Sequence, residues 1–228
     1  MMRRLTIAAS LSWLVSFASA SAQQGNPDKD ELTGRFRVGY RGVSVNGQEG
    51  KYRQHYNLDD GPRIFEVRFD YLPTGNLSDA VDVLSFDLNN YGGDPFETLR
   101  FDVRKFGKYN FTYERVKSTY FYEDIIFPPG FIDPSLDAEG DFTSFNVDRV
   151  RDHAKFDLTL TPRASLDFDF NRYTRTGEST TQLDIQREIF ELDRPINEIN
   201  NEFGVAFQYR WDKVALVLQE QIRDFENA

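Results

Sequence analysis

The stretch LRFDVRKFGKYNFTYER, residues 99–115, decides the fold, because it contains two alternating runs that meet at one glycine. Before Gly107, apolar side chains at 99, 101 and 103 alternate with charged ones, and after it aromatic side chains at 109, 111 and 113 alternate with polar ones. A period of two is typical of a β-strand whose faces meet different environments. The stretch predicts two strands joined by a short turn. It leaves open whether the apolar face meets a protein core or lipid.

The same alternation recurs along the chain and predicts nine strands, although the last run loses its regularity. The predicted strands lie at 36–40, 65–71, 81–88, 99–103, 109–113, 156–160, 166–170, 203–211 and 214–225. The fold class that this pattern favours is all-β, an antiparallel transmembrane β-barrel. Bacterial single-chain barrels use even strand numbers, and an open edge in lipid leaves backbone groups unpaired. We therefore expect these strands to be the N-terminal piece of a longer barrel, or else to be closed by other chains.

Composition excludes several classes of function. The 228 residues carry a formal net charge of -10, which argues against a nucleic-acid partner. There is no cysteine, so disulfides, thiolate metal sites and covalent haem attachment are excluded. Aromatic residues make up 15% of the chain while the mean hydropathy is -0.57. Many aromatics in a chain of low mean hydropathy are typical of a membrane β-barrel.

The N-terminus predicts export. Arg3 and Arg4 precede an apolar stretch at 5–18, and small-residue cleavage sites follow at 18–22. This order is typical of a secretory signal peptide, and it is favoured over an uncleaved anchor because the stretch is short and interrupted by serines. The predicted organisation is a signal peptide at 1–22, a short periplasmic segment at 23–31 and part of an outer-membrane barrel at 32–228.

The connections between predicted strands alternate in length. The short ones lie at 73–79, 106–108, 162–164 and 212–213, and the long ones at 46–62, 91–97, 118–150 and 175–197. Outer-membrane barrels have short periplasmic turns and longer extracellular loops. The pattern therefore favours lipid outside and charge inside, in the outer membrane of a Gram-negative bacterium. A soluble exported sandwich or lipocalin-like barrel is the alternative that fits the same alternation.

In the barrel interpretation, alternation divides the strand residues into two sets. The candidate lumen-lining residues are Arg35, Arg37, Glu66, Arg68, Asp70, Arg100, Asp102, Arg104, Asp167 and Asp169. The candidate lipid-facing residues are Phe65, Val67, Phe69, Leu99, Phe101, Val103, Phe111, Leu166, Phe168, Phe170 and Phe207. The lumen set mixes both charges on neighbouring strands, which suits either a polar protein plug or a water-filled pore.

Three short motifs in the first predicted hairpin carry a family resemblance: Gly39-Tyr40-Arg41, Lys51-Tyr52-Arg53 and Leu58-Asp59-Asp60-Gly61. With 92–115 and 120–125, they are similar to the decahaem-associated outer-membrane β-barrel family (the MtrB/PioB type), over roughly residues 32–125. The resemblance implies a large barrel that encloses a periplasmic multihaem cytochrome, so that electrons cross the outer membrane. The chain departs from the family in being shorter and in lacking the N-terminal CxxC of some members.

No stretch predicts an active site. Asp59 and Asp60 could ligate Ca²⁺, but a turn is favoured because Asn, Asp, Gly and Pro cluster there. We predict that the chain is not an enzyme and binds no cofactor or metal itself, with haem supplied only by a partner cytochrome. The alternatives are a diffusion pore for ions or small solutes, and a soluble exported β-domain that binds a partner through its long loops. The predicted partners are outer-membrane lipid and a periplasmic multihaem cytochrome in the lumen.

Overall fold

The computed structural model describes residues 30–47, 49–122, 145–185 and 188–227. Its elements are β1 (Glu31–Arg41), α1 (Glu49–His55), β2 (Gly61–Leu72), the 3₁₀ turn η1 (Gly75–Asp79), β3 (Val83–Tyr91), β4 (Phe96–Lys105), β5 (Tyr109–Tyr122), β6 (Phe145–Thr161), β7 (Ala164–Ile185), β8 (Glu188–Arg210) and β9 (Ala215–Asn227). The predicted signal peptide at 1–22 and most of the predicted segment at 23–31 lie outside the described residues.

All nine strands form one antiparallel sheet in which each strand pairs with its neighbour in sequence, so its order runs from β1 to β9. The predictions of an all-β fold and of nine strands are therefore confirmed. In the described part of the chain, β1 and β9 are the edges of the sheet. Among the same residues, no helix is long and apolar enough to cross a membrane, and α1 has only 7 residues.

The sheet is a single layer. Among the described residues, the buried apolar side chains are Phe121, Val147 and Ile196 alone. In the part of the chain that the structure describes, the extensive contacts between strands join neighbours in the sheet, and α1 packs against β5. A β-sandwich instead buries one face of each of two sheets against the other. In the part of the chain that the structure describes, neither face of this sheet is covered in that way.

The turn at Gly107 follows the sequence prediction. Gly107 has φ +71°, a backbone conformation that side chains with a Cβ rarely adopt. The backbone N–H of Lys108 donates to the carbonyl of Lys105 at 3.0 Å and closes the turn between β4 and β5. The residues on either side pair in register, Lys105 with Tyr109 and Val103 with Phe111. The two alternating runs of 99–115 are thus adjacent strands.

The connections at 73–82, 106–108, 162–163 and 211–214 lie at one end of the sheet, which we call the turn end. The opposite end, the loop end, carries the long connection at 42–60, which contains α1.

Two of the predicted long loops are wrong. Residues 91–97 form a tight connection of only 92–95, because β3 and β4 continue to its edges. Most of 175–197 belongs to β7 and β8, which stay paired out to Ile185 and Glu188. The predicted loop at 118–150 is replaced by strand up to Tyr122 and from Phe145 onward, and its centre lies outside the described residues.

Candidate functional surface: the charged face of the sheet

Register places polar side chains in continuous rows across the whole sheet. One row follows the cross-strand pairs through all nine strands: Arg35, Arg68, Asp87, Arg100, Glu114, His153, Asn171, Glu202 and Arg223. We call this side of the sheet the polar face. Every predicted lumen-lining residue lies on it, because each is in this row or an even number of residues away along its strand.

The neighbouring row is apolar and lies on the other side, which we call the apolar face. It consists of Gly34, Phe69, Phe86, Phe101, Tyr113, Ala154, Phe170, Phe203 and Ile222. The rings of Phe69 and Phe86 stack at 5.2 Å, and those of Phe156 and Phe168 are 6.2 Å apart. All the predicted lipid-facing residues except Phe65 lie on this face.

Phe65 departs from the prediction because a β-bulge shifts the register there. Arg37 pairs with Glu66, but the next residue of β1 pairs with Ile64, so Phe65 is the extra residue of β2. Its ring lies beside Gly39, where an added Cβ would approach it to 2.9 Å, and 5.7 Å from the guanidinium of Arg41. Gly39 and Arg41 lie two and four residues after Arg37 on β1, so all three are on the polar side of the sheet. The ring therefore lies on the polar side, and alternation alone could not reveal the bulge.

Ion pairs connect the first strands on the polar face. Glu66 lies between two arginines, 3.7 Å from Arg35 and 3.6 Å from Arg37. The hydroxyl of Ser85 donates to Asp70 at 2.6 Å, so the bonding continues onto β3. These contacts join side chains that stand opposite one another on adjacent strands, which is the pairing that stabilises antiparallel sheets.

Arg100 is the centre of the network on β4 and β5. Its guanidinium is 2.7 Å from the carboxylate of Asp102 and 3.2 Å from that of Glu114 on the next strand. Asp102 also accepts a hydrogen bond from Thr112 at 2.8 Å, and Arg104 donates to Asn110 at 3.2 Å. Each predicted lumen residue of β4 thus has a partner on the same face.

The network continues through β6 to β9. Asp169 contacts His153 at 2.8 Å and accepts from Asn171 at 2.7 Å. Glu202 contacts Arg223 at 2.7 Å.

Sequence reasoning missed several members of this network. Asp87, Glu114 and Lys155 could have been found, because they alternate with apolar residues in their strands. Arg223 could not have been found in this way. A charged residue of the same strand, Glu220, lies on the apolar face and breaks the alternation there.

A cavity of about 520 Å³ opens between β2 and β5, where the polar face is richest in charge. Its charged lining includes Arg68, Asp70, Asp87, Arg100, Asp102 and Glu114. The arrangement can offer both guanidinium donors and carboxylate acceptors to a polar surface. The described residues contain no group of three that could hold a metal ion.

Tyrosines mark both ends of the apolar face. At the turn end, the hydroxyl of Tyr109 donates to the carbonyl of Ala80 at 2.6 Å, and Tyr209 packs against Trp211 with ring centroids 4.6 Å apart. Towards the loop end, the hydroxyl of Tyr113 donates to Asp152 at 2.6 Å. Aromatic side chains with a polar tip are enriched where a membrane meets water. Tyrosines thus bound the apolar band at both ends.

The turn end is held by two carboxylates, those of Asp82 and Asp30. Asp82 accepts from the ammonium of Lys105 at 2.7 Å and from the backbone N–H of Phe106 at 2.6 Å, and these bonds lower its pKa. Asp30 accepts from the hydroxyl of Tyr71 and from Thr74, and these bonds lower its pKa. Asp82 therefore ties the β2–β3 connection to the β4–β5 turn.

The loop end contains a buried ion pair. Arg63 and Asp94 are 5% and 6% exposed and lie 3.1 Å apart, and Arg41 donates to the same carboxylate. Arg63 also donates to the carbonyl of Asp59 at 2.7 Å, while the carboxylate of Asp60 accepts the backbone N–H of Val43. These bonds hold residues 57–62 (NLDDGP) in a turn at the end of the long connection, just before and into β2.

No protein-family model matches this chain, and neither does any curated protein or solved structure. The resemblance over residues 32–125 therefore stays a prediction from the quoted motifs.

Proposed function

We propose that these nine strands form part of the wall of an outer-membrane β-barrel, with the apolar face in lipid and the polar face towards the lumen. The observation that carries the proposal is a single-layer sheet with an apolar and a charged face, both running across all nine strands. Closed barrels span membranes because they satisfy every backbone hydrogen bond. The backbone groups along the outer edges of β1 and β9 also need hydrogen-bond partners, and we propose that further strands supply them.

The apolar face supports lipid as its neighbour. Phe203, Leu218 and Ile222 are all exposed on it. Moving such side chains from water into an apolar environment is favourable, and that free energy is gained only if something apolar covers them. The apolar part of β7 runs over residues 164–170, roughly 24 Å of strand at about 3.4 Å per residue. At the usual strand tilt of about 35–45°, this length covers roughly 17–20 Å of the ~25 Å apolar band of outer-membrane barrels. Lipid covers this face without a second protein layer.

We propose further that the lumen holds a periplasmic multihaem cytochrome, so that the barrel is the sheath of an electron conduit. The motifs of the first hairpin support this, and so does a polar face whose charges are already paired and offer hydrogen bonds to a protein surface. The chain has no cysteine and only two histidines, so haem would arrive with its partner. An open diffusion pore is the alternative outcome of the tests below.

Orientation is tested by protease treatment of intact cells. If the turn end is periplasmic, protease should cut between 123 and 144 and spare 106–108. Permeabilised cells serve as the control, because both segments then become accessible. Cleavage at 106–108 in intact cells would contradict the proposed topology.

The partner is tested by gentle purification of the full-length protein from native membranes in detergent. A haem-staining polypeptide should co-purify, and liposomes that contain both proteins should reduce an enclosed acceptor. Liposomes that contain the barrel alone should not, because this chain carries no haem. Ion conductance by the isolated barrel with no co-purifying haem would replace the sheath with a simple pore.

A further inference from the structure

Several arginine–carboxylate pairs on the polar face share one arrangement: the carboxylate is sheltered and the arginine that covers it stays exposed. The side chain of Glu66 is 17% exposed, whereas those of Arg35 and Arg37 are 71% and 53% exposed. Asp102 is 19% exposed beneath Arg100, which is 53% exposed. The acid lies close to the sheet and the guanidinium projects from it.

The same layering recurs on distant strands. Glu202 is 19% exposed and its partner Arg223 is 63% exposed, and Asp70 is also more sheltered than Arg68. Two pairs do not follow the pattern: Glu114 is 43% exposed beside Arg100, and the partner of Asp169 is a histidine, which has a shorter side chain. Layering therefore accompanies arginines of β1, β2, β4 and β9 on the polar face, and Arg115 covers Asp152 in the same way on the side of the apolar face.

The physical cause is the reach of the side chains. Arginine carries its guanidinium on a long stem and has five N–H donors, of which a carboxylate beneath it uses only some. The remaining donors point away from the sheet. A surface that approaches the polar face consequently meets guanidinium groups first, although the face contains acids in comparable number.

We propose that the polar face binds a protein whose contact surface is rich in carboxylates, through this outward layer of guanidinium groups. The inference rests on the proposed function and names the chemistry of the occupant of the lumen. It opposes what bulk charge predicts, because a chain with a net charge of -10 is expected to attract a basic partner. Guanidinium and carboxylate groups form bidentate, charge-assisted hydrogen bonds, which suit such a contact.

The test compares the exposed layer with the sheltered one. Poly-L-glutamate serves as the probe, and its binding to the detergent-solubilised full-length protein is measured by fluorescence anisotropy at low and high salt. The double variant Arg35→Gln/Arg37→Gln should bind it roughly tenfold more weakly, since two exposed ion pairs are lost. The control Glu66→Gln removes the sheltered acid between those arginines and should bind the probe as well as the wild type or more tightly.

Equal weakening in both variants, or none in the double variant, would overturn the inference. A heat-modifiability shift on gels confirms beforehand that each variant assembles.

The native partner separates this inference from the proposed function. If haem protein co-purifies and the double variant releases it at lower salt than the wild type does, both stand. If it co-purifies equally with both proteins at every salt concentration, the sheath stands and the guanidinium layer is not its contact. If no haem protein co-purifies while poly-L-glutamate binding depends on the arginines, the sheath fails and the carboxylate-binding face stands.

Discussion

The hairpin of β7 and β8 has two halves that differ in how they treat their faces. In the lower half, towards the turn end, Leu166, Phe168 and Phe170 lie on the apolar face and alternate with Asp167 and Asp169 on the polar face. In this half the two sides of the strand meet environments of opposite polarity.

In the upper half the same strands continue, but β7 carries polar side chains on both faces. Arg172, Thr174 and Thr176 stand on the side of the apolar face, and Tyr173 and Arg175 stand opposite them. Backbone pairing is unbroken between the halves. The difference teaches that side-chain alternation records two environments, whereas strand pairing requires only a neighbouring backbone. The proposal places the lower half in lipid and the upper half in water outside it.

The largest effect should come from placing one charge in each half. Phe168→Arg puts a guanidinium on the apolar face of the lower half, where arginine in barrels costs about 2–4 kcal/mol. Thr174→Arg puts the same group on the same side of the upper half and should change stability by no more than about 0.5 kcal/mol. Guanidinium-induced unfolding of the protein in liposomes measures both. Equal costs would place the two halves in one environment and contradict the proposal.

Asp169→Arg places the same guanidinium one residue from Phe168 but on the opposite face of the sheet, so it compares the two faces within the lower half. It loses the contacts of Asp169 with His153 and Asn171, but the new guanidinium stands on the polar face and not on the apolar one. We expect it to be clearly milder than Phe168→Arg in the same unfolding measurement. A larger cost at Asp169 would mean that its contacts, rather than the lipid, dominate the stability of the lower half.

A smaller effect concerns a glycine in each half. Gly177 in the upper half has φ +143°, and an added Cβ would lie 2.1 Å from the backbone oxygen of Asn146. Gly177→Ala should therefore force a backbone shift and cost about 1–3 kcal/mol. Gly204 in the lower half has ordinary space, with the nearest atom 3.7 Å from an added Cβ. Gly204→Ala should be close to neutral in the same unfolding measurement, and a comparable loss there would show that chain packing differs from the structure.

Side-chain alternation predicted the strands only as far as two environments persist. It located all nine strands and the faces of nearly every candidate residue, because most of these lie in the two-sided part of the sheet. It ended β7 near 170, since the polar residues beyond it give no alternating pattern. It also misplaced Phe65, because a bulge leaves no mark in the order of polar and apolar residues. Alternation could not predict the layering of the ion pairs, because the layering depends on how far each side chain reaches from the sheet.

The boundary between the halves is marked by a hydrogen bond that can be removed alone. Tyr113→Phe deletes the hydroxyl that donates to Asp152 and should cost about 0.5–1.5 kcal/mol. A double-mutant cycle with Asp152→Ala, which removes the acceptor, isolates the coupling of the pair from the other contact of Asp152, which is with Arg115 at 3.1 Å. Full additivity of the two substitutions would mean that the bond contributes nothing and that the boundary is set by burial alone.

The smallest effect lies at the turn end, below the lower halves, where Asp82 contacts Lys105 and the N–H of Phe106. Lys105 first, and then the backbone bond, lower the pKa of Asp82 below its ordinary value of 3.8. The carboxylate therefore stabilises the folded turns fully above that value, and the contribution is lost as the pH falls through the lowered pKa. Asp82→Asn should reduce the unfolding midpoint at pH 6, and this difference from the wild type should shrink as the pH drops below about 4. A difference that stays constant from pH 6 to pH 2 would show that the charge of Asp82 does not hold the turns, and that only the shape of the side chain does.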